Sequence, residues 1–90
     1  MLESILETQF LPLMGKKLAQ ARKQRFPGDD MQAFSKRVRV ARSTYQRMEK
    51  GDLSVAFASY YKAALILELT EGFEQLFTLQ QTEEAWLSDV

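Results

Sequence analysis

DMQAFSKRVRVARSTYQRMEKG, residues 30–51, contains two short helical patterns separated by a joint of about three residues. Asp29 or Asp30 is a suitable N-cap for the first pattern, because a short carboxylate side chain accepts the free N–H groups of a first helical turn. Phe34 and Val38 lie four residues apart, so they share one apolar face of this helix. The first pattern therefore predicts a helix that ends near Val38.

The second pattern covers residues 42–50 and stops at Gly51, because glycine readily adopts the left-handed conformation that closes helices. Tyr45 and Met48 lie on its apolar side and are predicted to be buried. The joint consists of residues 39–41. Two short helices with so tight a joint cross steeply, which is the helix-turn-helix arrangement.

The opposite face of the second helix carries basic and polar side chains that suit the edges of DNA bases. Arginine donates two hydrogen bonds to guanine, and serine bonds to several bases. The face consists of Arg42, Ser43, Gln46, Arg47 and Lys50. This composition predicts that the helix enters the major groove of DNA.

The charges of the chain are separated along its length, although the net charge is zero. Residues 16–50 hold eleven Lys or Arg against three Asp or Glu, a balance of +8. Residues 51–90 hold one Lys against seven Asp or Glu, a balance of −6. Because salt screens charges beyond about 8–10 Å, a concentrated basic surface attracts phosphate whatever the total charge. Double-stranded DNA is therefore the predicted partner.

The composition argues against catalysis. The chain has no cysteine and no histidine, so it lacks a thiolate nucleophile, a cysteine zinc site and the commonest general base and metal ligand. We predict no catalytic residue, no metal and no cofactor. Residues 1–12 lack the basic start of a secretory signal, and the longest apolar run, residues 63–67, is too short to span a bilayer. The expected location is the cytoplasm, with no membrane partner.

Three further helices are predicted, over residues 13–25, 55–67 and 70–79, and no strand pattern competes with them. Ser54 is the expected cap of the fourth helix, and Thr70 opens the fifth. The predicted fold class is all-α with five helices. We divide the chain into an N-terminal extension, a helix-turn-helix domain and an acidic tail, at residues 1–12, 13–79 and 80–90.

Apolar faces of the flanking helices predict the rest of the core. One face of the first helix holds Met14, Leu18, Ala21 and Arg25. Lys16, Lys17, Arg22 and Lys23 lie mostly off that face. In the fourth helix, Phe57 is predicted to be buried, whereas Tyr60 and Tyr61 cannot both point inward, so one of them is expected to be exposed.

Residues 30–51 resemble the helix-turn-helix of the lambdoid phage repressor and Cro proteins, the XRE family of bacterial regulators. The densest match is RSTYQRMEKG, residues 42–51, in which Glu49 and Gly51 occupy the family's usual glutamate and glycine. The similarity extends over residues 13–79. It implies a five-helix, lambda-repressor-like DNA-binding domain that binds a palindromic operator as a homodimer.

The resemblance also implies roles for single residues. The family's base-reading positions fall on Arg42, Ser43 and Arg47. Its phosphate contacts fall on Gln46 and Lys50. Met31 stands where the family commonly has a phosphate-binding glutamine, so we expect Gln32, Lys36 or Arg37 to bind phosphate instead.

Two other departures lie in the turn. Arg39 stands where glycine is usual, which costs strain if the backbone there is left-handed. Ala41 replaces the usual Ser or Thr cap of the second helix. The sequence also permits a start with Ser43 as the cap and Gln46 as its capping-box partner, in which case Ser43 is structural and does not read bases.

The predicted function is a homodimeric transcriptional repressor that controls its own operon. Apolar residues late in the chain predict a dimer or partner interface at Phe73, Leu76, Phe77 and Trp86. An alternative rests on residues 42–55, which resemble HipB-like antitoxins, the small regulators paired with HipA-type kinases; a toxin protein is then a second partner. A third interpretation is a protein-interaction module that has lost DNA binding.

Overall fold

The computed structural model describes the backbone of residues 2–78 and the side chains of residues 11–78. Within this part of the chain there are five helices and no strand, which confirms the predicted all-α class. None of these helices is long and apolar enough to cross a membrane. The helices are α1 (Leu2–Arg25), α2 (Met31–Val38), α3 (Arg42–Met48), α4 (Phe57–Leu67) and α5 (Glu71–Glu74).

The core lies between α2, α3 and α4. Phe34 of α2 and Tyr45 of α3 are fully buried, and their rings meet edge to face with centroids 5.3 Å apart, a favourable arrangement for aromatic pairs. The predicted burial of Val38 and Met48 is also confirmed. Other members of this core are Val55, Tyr60, Ala63 and Leu67, and Met14, Leu18 and Ala21 of α1 pack against it.

The turn between α2 and α3 has the three-residue length that the sequence predicts. Asp30 caps α2, since its carboxylate accepts the N–H of Ala33 at 2.8 Å. At the other end, Arg39 is left-handed, with φ 66°. The N–H of Val40 bonds to the carbonyl of Ser35 at 3.1 Å and that of Arg39 bonds to Lys36, which is a Schellman motif. Arg39 therefore carries the strain that glycine avoids.

α3 begins at Arg42, directly after Ala41, which is extended and offers no side-chain cap. The alternative start with Ser43 as the cap is therefore not the one adopted. Two glycines let α1 pack closely against the far end of α3. A Cβ on Gly15 would overlap the carbonyl of Glu49, and one on Gly51 would overlap the carbonyl of Leu11.

Four of the five helices have a boundary that differs from the predicted one. α3 ends at Met48, whereas its predicted end is residue 50. α1 begins at Leu2 and continues through Pro12, so it crosses the boundary that we placed between residues 12 and 13. α4 begins at Phe57, and Ser54 does not cap it, because the Ser54 hydroxyl and N–H both bond to Asp52. α5 is a single turn and does not reach residue 79, in keeping with the poor helix propensity of its second residue, Gly72.

The exposure of α4 corrects one core prediction. Phe57 is 59 % exposed, so its predicted burial is wrong; it lies in the first turn, at the edge of the core-facing side. The prediction for the tyrosine pair is confirmed, because Tyr60 is buried and Tyr61 is exposed. The predicted tail, residues 80–90, lies outside the described residues.

Candidate nucleic-acid interface

α3 has two faces of opposite character. Tyr45 and Met48 are 0 % exposed on one side. On the other side, the three predicted base-reading residues are all exposed. Ser43 and Arg47 are four residues apart, so they lie one above the other on the helix surface. The three residues are Arg42, Ser43 and Arg47.

Around this face, two further predicted contact residues take different positions. Lys50 is exposed just beyond the end of α3, whereas Gln46 is half-buried. Arg42, the first residue of α3, is exposed, and no ion pair to it is found among the side chains of residues 11–78. Arg42 therefore presents its guanidinium to solvent at the start of the helix.

Arg47 is exposed but held by two side chains of the following loop. Its Nε donates to Asp52 Oδ2 at 3.0 Å, and its Nη2 donates to Ser54 Oγ at 2.5 Å. Asp52 Oδ1 accepts the N–H and the hydroxyl of Ser54, at 2.8 Å and 2.7 Å. The hydrogen bond from the Ser54 hydroxyl, followed by the one from Arg47, lowers the pKa of Asp52 to about 2.

The end of α3 explains why Asp52 reaches Arg47. Gly51 is left-handed, with φ 76°, and its N–H bonds to the carbonyl of Met48 at 2.9 Å. The N–H of Asp52 bonds to the carbonyl of Arg47 at 3.1 Å, which completes a Schellman motif. The Tyr60 hydroxyl donates to the Asp52 carbonyl at 2.6 Å and fixes the same loop to α4.

The predicted phosphate-binding residues of α2 differ in how far they are engaged. Gln32 and Lys36 are exposed and lie one turn apart. Arg37 donates to both carboxylate oxygens of Asp29, at 2.5 Å and 3.3 Å, and its guanidinium lies 4.3 Å from the centroid of the Phe26 ring. The hydrogen bond from Arg37 lowers the pKa of Asp29. Of these three predicted phosphate contacts, Gln32 and Lys36 have no side-chain partner among residues 11–78, whereas Arg37 is paired with Asp29.

A buried ion pair lies behind α3, and the sequence analysis does not predict it. Arg22 of α1 is 7 % exposed, and its Nε donates to Glu49 Oε2 at 2.8 Å. A second donor of Arg22 bonds to the carbonyl of Asp29 at 3.0 Å. The hydrogen bond with Glu49 raises the pKa of Arg22, and the pair ties α1 to the C-terminal end of α3. Arg22 is therefore buried although its spacing in the sequence puts it mostly off the apolar face of α1.

The Tyr45 hydroxyl lies beside this ion pair. It is buried and has no hydrogen-bond partner among the described residues. Burial raises the pKa of the phenol above its ordinary value, so the group stays protonated. Tyr45 is a core residue whose hydroxyl lies close to Glu49 and Arg22 without meeting the geometry of a hydrogen bond to either.

A second exposed surface is apolar and lies near α5. It surrounds a groove of about 450 Å³ that Leu53, Phe57, Leu69 and Leu76 line, with exposures of 45–60 %. Of the predicted interface residues, Phe73 and Leu76 line this groove and Phe77 is 99 % exposed.

Phe73 and Trp86 differ from these exposed residues. Phe73 is half-buried, with its ring 5.2 Å from that of Phe57 and 5.5 Å from that of Tyr61. Trp86 lies outside the described residues.

Comparison with known proteins finds no relative of this chain. No family model matches the chain, and neither the curated proteins nor the solved structures contain a match to it.

Proposed function

We propose that this protein is a sequence-specific DNA-binding regulator that places α3 in the major groove. The observation that carries the proposal is the division of α3, a helix of seven residues, into a face packed in the core and a face that presents Arg42, Ser43 and Arg47. α2 and α3 are then the two helices of a lambda-repressor-like helix-turn-helix, with α3 as the recognition helix.

The electrostatics of the exposed face support the same function. Lys36, Arg42 and Lys50 are exposed, and none is in an ion pair with a side chain of residues 11–78. Lysine and arginine that neutralise phosphates release counterions, which supplies much of the affinity for DNA. Most acidic residues lie after residue 50, so residues 16–50, which include α2 and α3, carry a net positive charge.

We propose a homodimer as the binding unit. A dimer brings two copies of α3 to successive major grooves about 34 Å apart and matches a palindromic operator. The apolar groove beside α5 supplies a surface for self-association, because contiguous exposed apolar patches mark interaction sites. Control of the protein's own promoter is the simplest repressor circuit that this unit serves.

The test begins with selection of binding sites from a random pool of duplex DNA by the wild-type protein. Arg42→Ala and Arg47→Ala should each weaken binding to the selected site by about 5- to 150-fold, the worth of one good arginine contact to guanine. Arg25→Ala is the matched control, since Arg25 is an exposed arginine that pairs with Glu68, outside α2 and α3. Its affinity should change little.

Salt dependence supplies a second measurement on the same variants. Lys50→Ala should weaken binding to selected and unselected duplexes alike and reduce the slope of log K against log salt by about 1, because it removes one phosphate contact. If neither arginine variant of α3 differs from wild type, α3 does not read DNA and the proposal is wrong.

A second candidate function is that of an antitoxin that binds both operator DNA and a kinase-type toxin. The observation behind it is the apolar groove with Phe77 99 % exposed nearby, a surface that is compatible with a toxin as well as with a second copy. Co-purification from the native host distinguishes the two: a stable complex with a kinase-class protein supports the antitoxin, and recovery as a homodimer alone contradicts it.

A further inference from the structure

We propose that Asp52 and Ser54 are positioning residues that hold the Arg47 guanidinium so that one edge faces a guanine, and that they thereby determine specificity at that base pair. The inference rests on the proposed DNA-binding function and assigns a part in it to two residues outside α3. Its basis is the hydrogen-bond network that joins Arg47, Asp52 and Ser54.

A count of donors shows which part of Arg47 is occupied. Arginine has five N–H donors in a planar, fixed arrangement. Nε uses its donor on Asp52, and Nη2 uses one of its two on Ser54. These two bonds occupy the side edge of the guanidinium. The two donors of Nη1 and the second donor of Nη2 have no acceptor among residues 11–78.

The unoccupied donors have the geometry of base recognition. One N–H on each Nη points away from the side chain along the end edge of the guanidinium. This pair of parallel donors fits the O6 and N7 acceptors of guanine, which is the commonest specific contact of arginine in the major groove. The network therefore leaves free the edge that reads guanine.

The two holding residues are themselves fixed in place. The Asp52 N–H bonds to the Arg47 carbonyl, its own carbonyl accepts the Tyr60 hydroxyl, and its Oδ1 accepts two bonds from Ser54. An arginine held by such a loop loses less side-chain freedom when it binds DNA, so more of the contact energy appears as affinity. Arg42, in contrast, has no ion pair among the described side chains.

A competing role for Asp52 makes a different prediction. If the carboxylate only occupied Arg47 and repelled phosphate, removal of its charge would strengthen binding to every duplex and leave discrimination unchanged. If it positions Arg47, removal of its charge strengthens binding to unselected DNA, since one negative charge near the backbone is lost, but weakens discrimination at one base pair.

The experiment uses the selected duplex and all single substitutions in it, with the full-length protein. The base pair at which Arg47→Ala loses its preference is the one that Arg47 contacts. Asp52→Asn and Ser54→Ala should each reduce discrimination at that base pair by at least about fivefold, within the 5- to 150-fold range of a bidentate contact. Discrimination at all other positions should stay close to that of wild type.

Two further variants separate positioning from folding. Ser54→Thr keeps the hydroxyl and should retain discrimination, which a loss caused by altered packing would not explain. Asp52→Asn should have no further effect on discrimination when Arg47 is already alanine, because interacting residues are not additive.

The outcomes that overturn the inference are distinct from those that overturn the function. Wild-type protein that selects a sequence, together with Asp52→Asn that retains full discrimination, overturns the inference alone. A uniform loss of affinity at every position assigns Asp52 to folding and overturns it as well. Wild-type protein that selects no sequence overturns both the function and the inference.

Discussion

Two arginine–carboxylate pairs lie on opposite faces of α3 and differ mainly in their exposure to water. The pair of Arg22 with Glu49 has an N–O distance of 2.8 Å, and the pair of Arg47 with Asp52 has one of 3.0 Å. The side chains of the first pair are 9 % and 11 % exposed, and those of the second are 48 % and 35 % exposed. The two pairs therefore have nearly the same chemistry and distance but different exposure to solvent.

Exposure to water determines how much each pair contributes to stability. Charges buried together depend on one another, because removal of either leaves the other without a partner in a medium of low dielectric. Exposed pairs contribute little to folding, since water and salt screen them. The Arg22 pair therefore acts on the stability and placement of α3. The Arg47 pair is expected to leave stability nearly unchanged, and its hydrogen bonds act on the direction in which one side chain points.

The largest predicted effect breaks the buried pair. Glu49→Gln should lower the free energy of unfolding by about 3–5 kcal/mol, because Arg22 is left charged and buried without its carboxylate. Urea unfolding monitored by circular dichroism measures the change. The double variant Arg22→Met with Glu49→Leu should recover most of the loss, since no charge then remains buried. A loss below about 1 kcal/mol in Glu49→Gln would place this pair with ordinary surface pairs.

The second prediction concerns the hydroxyl beside the buried pair. Tyr45→Phe should raise the free energy of unfolding by about 1 kcal/mol, because it removes a buried donor that has no partner among the described residues. The same urea titration measures it. A clear loss of stability would mean that the hydroxyl supports Glu49, and the buried network would then contain three members rather than two.

How far the sequence predicts the fold depends on where local patterns decide the outcome. Phe34, Val38, Tyr45 and Met48 follow from helical spacing alone, and all four are buried. Asp30 as a cap and Gly51 as a helix end follow from the chemistry of helix termini. The length of α5 and the exposure of Phe57 depend on tertiary packing, which local spacing does not report.

The candidate site divides in a similar way. The exposed residues of α3 follow from the position of its buried face, so the sequence predicts them. The partners of those residues do not follow, because they depend on how the chain returns after Gly51. One signal was present, since a Schellman motif directs the next residue back to the last turn, and that residue is Asp52. For Arg22, no spacing rule distinguishes a solvated arginine from one that meets a carboxylate of another helix.

The third prediction sharpens the contrast at the exposed pair. Arg47→Ala and Asp52→Asn should unfold at nearly the wild-type urea midpoint, with changes several times smaller than that of Glu49→Gln, because the pair is exposed. Amide NMR spectra of both variants should retain the core resonances of wild type. A large loss of stability in either would make this pair structural and remove the contrast between the two faces of α3.

The smallest predicted effect is a change in the pKa of Asp52, which reports how tightly the exposed pair is held. The pKa of Asp52 in the folded protein is about 2, below the ordinary aspartate value of about 3.9. A lowered pKa means that the contribution of Asp52 to stability is present above the ordinary pKa and is lost as the pH falls through about 2.

In Ser54→Ala the pKa of Asp52 should rise toward the ordinary value, because the Ser54 hydroxyl is the largest cause of the shift. Carboxyl carbon-13 NMR between pH 1.5 and 5, roughly the range that spans both values, measures it. An unchanged pKa would mean that Ser54 does not hold the carboxylate, and Arg47 would then rest on Asp52 alone.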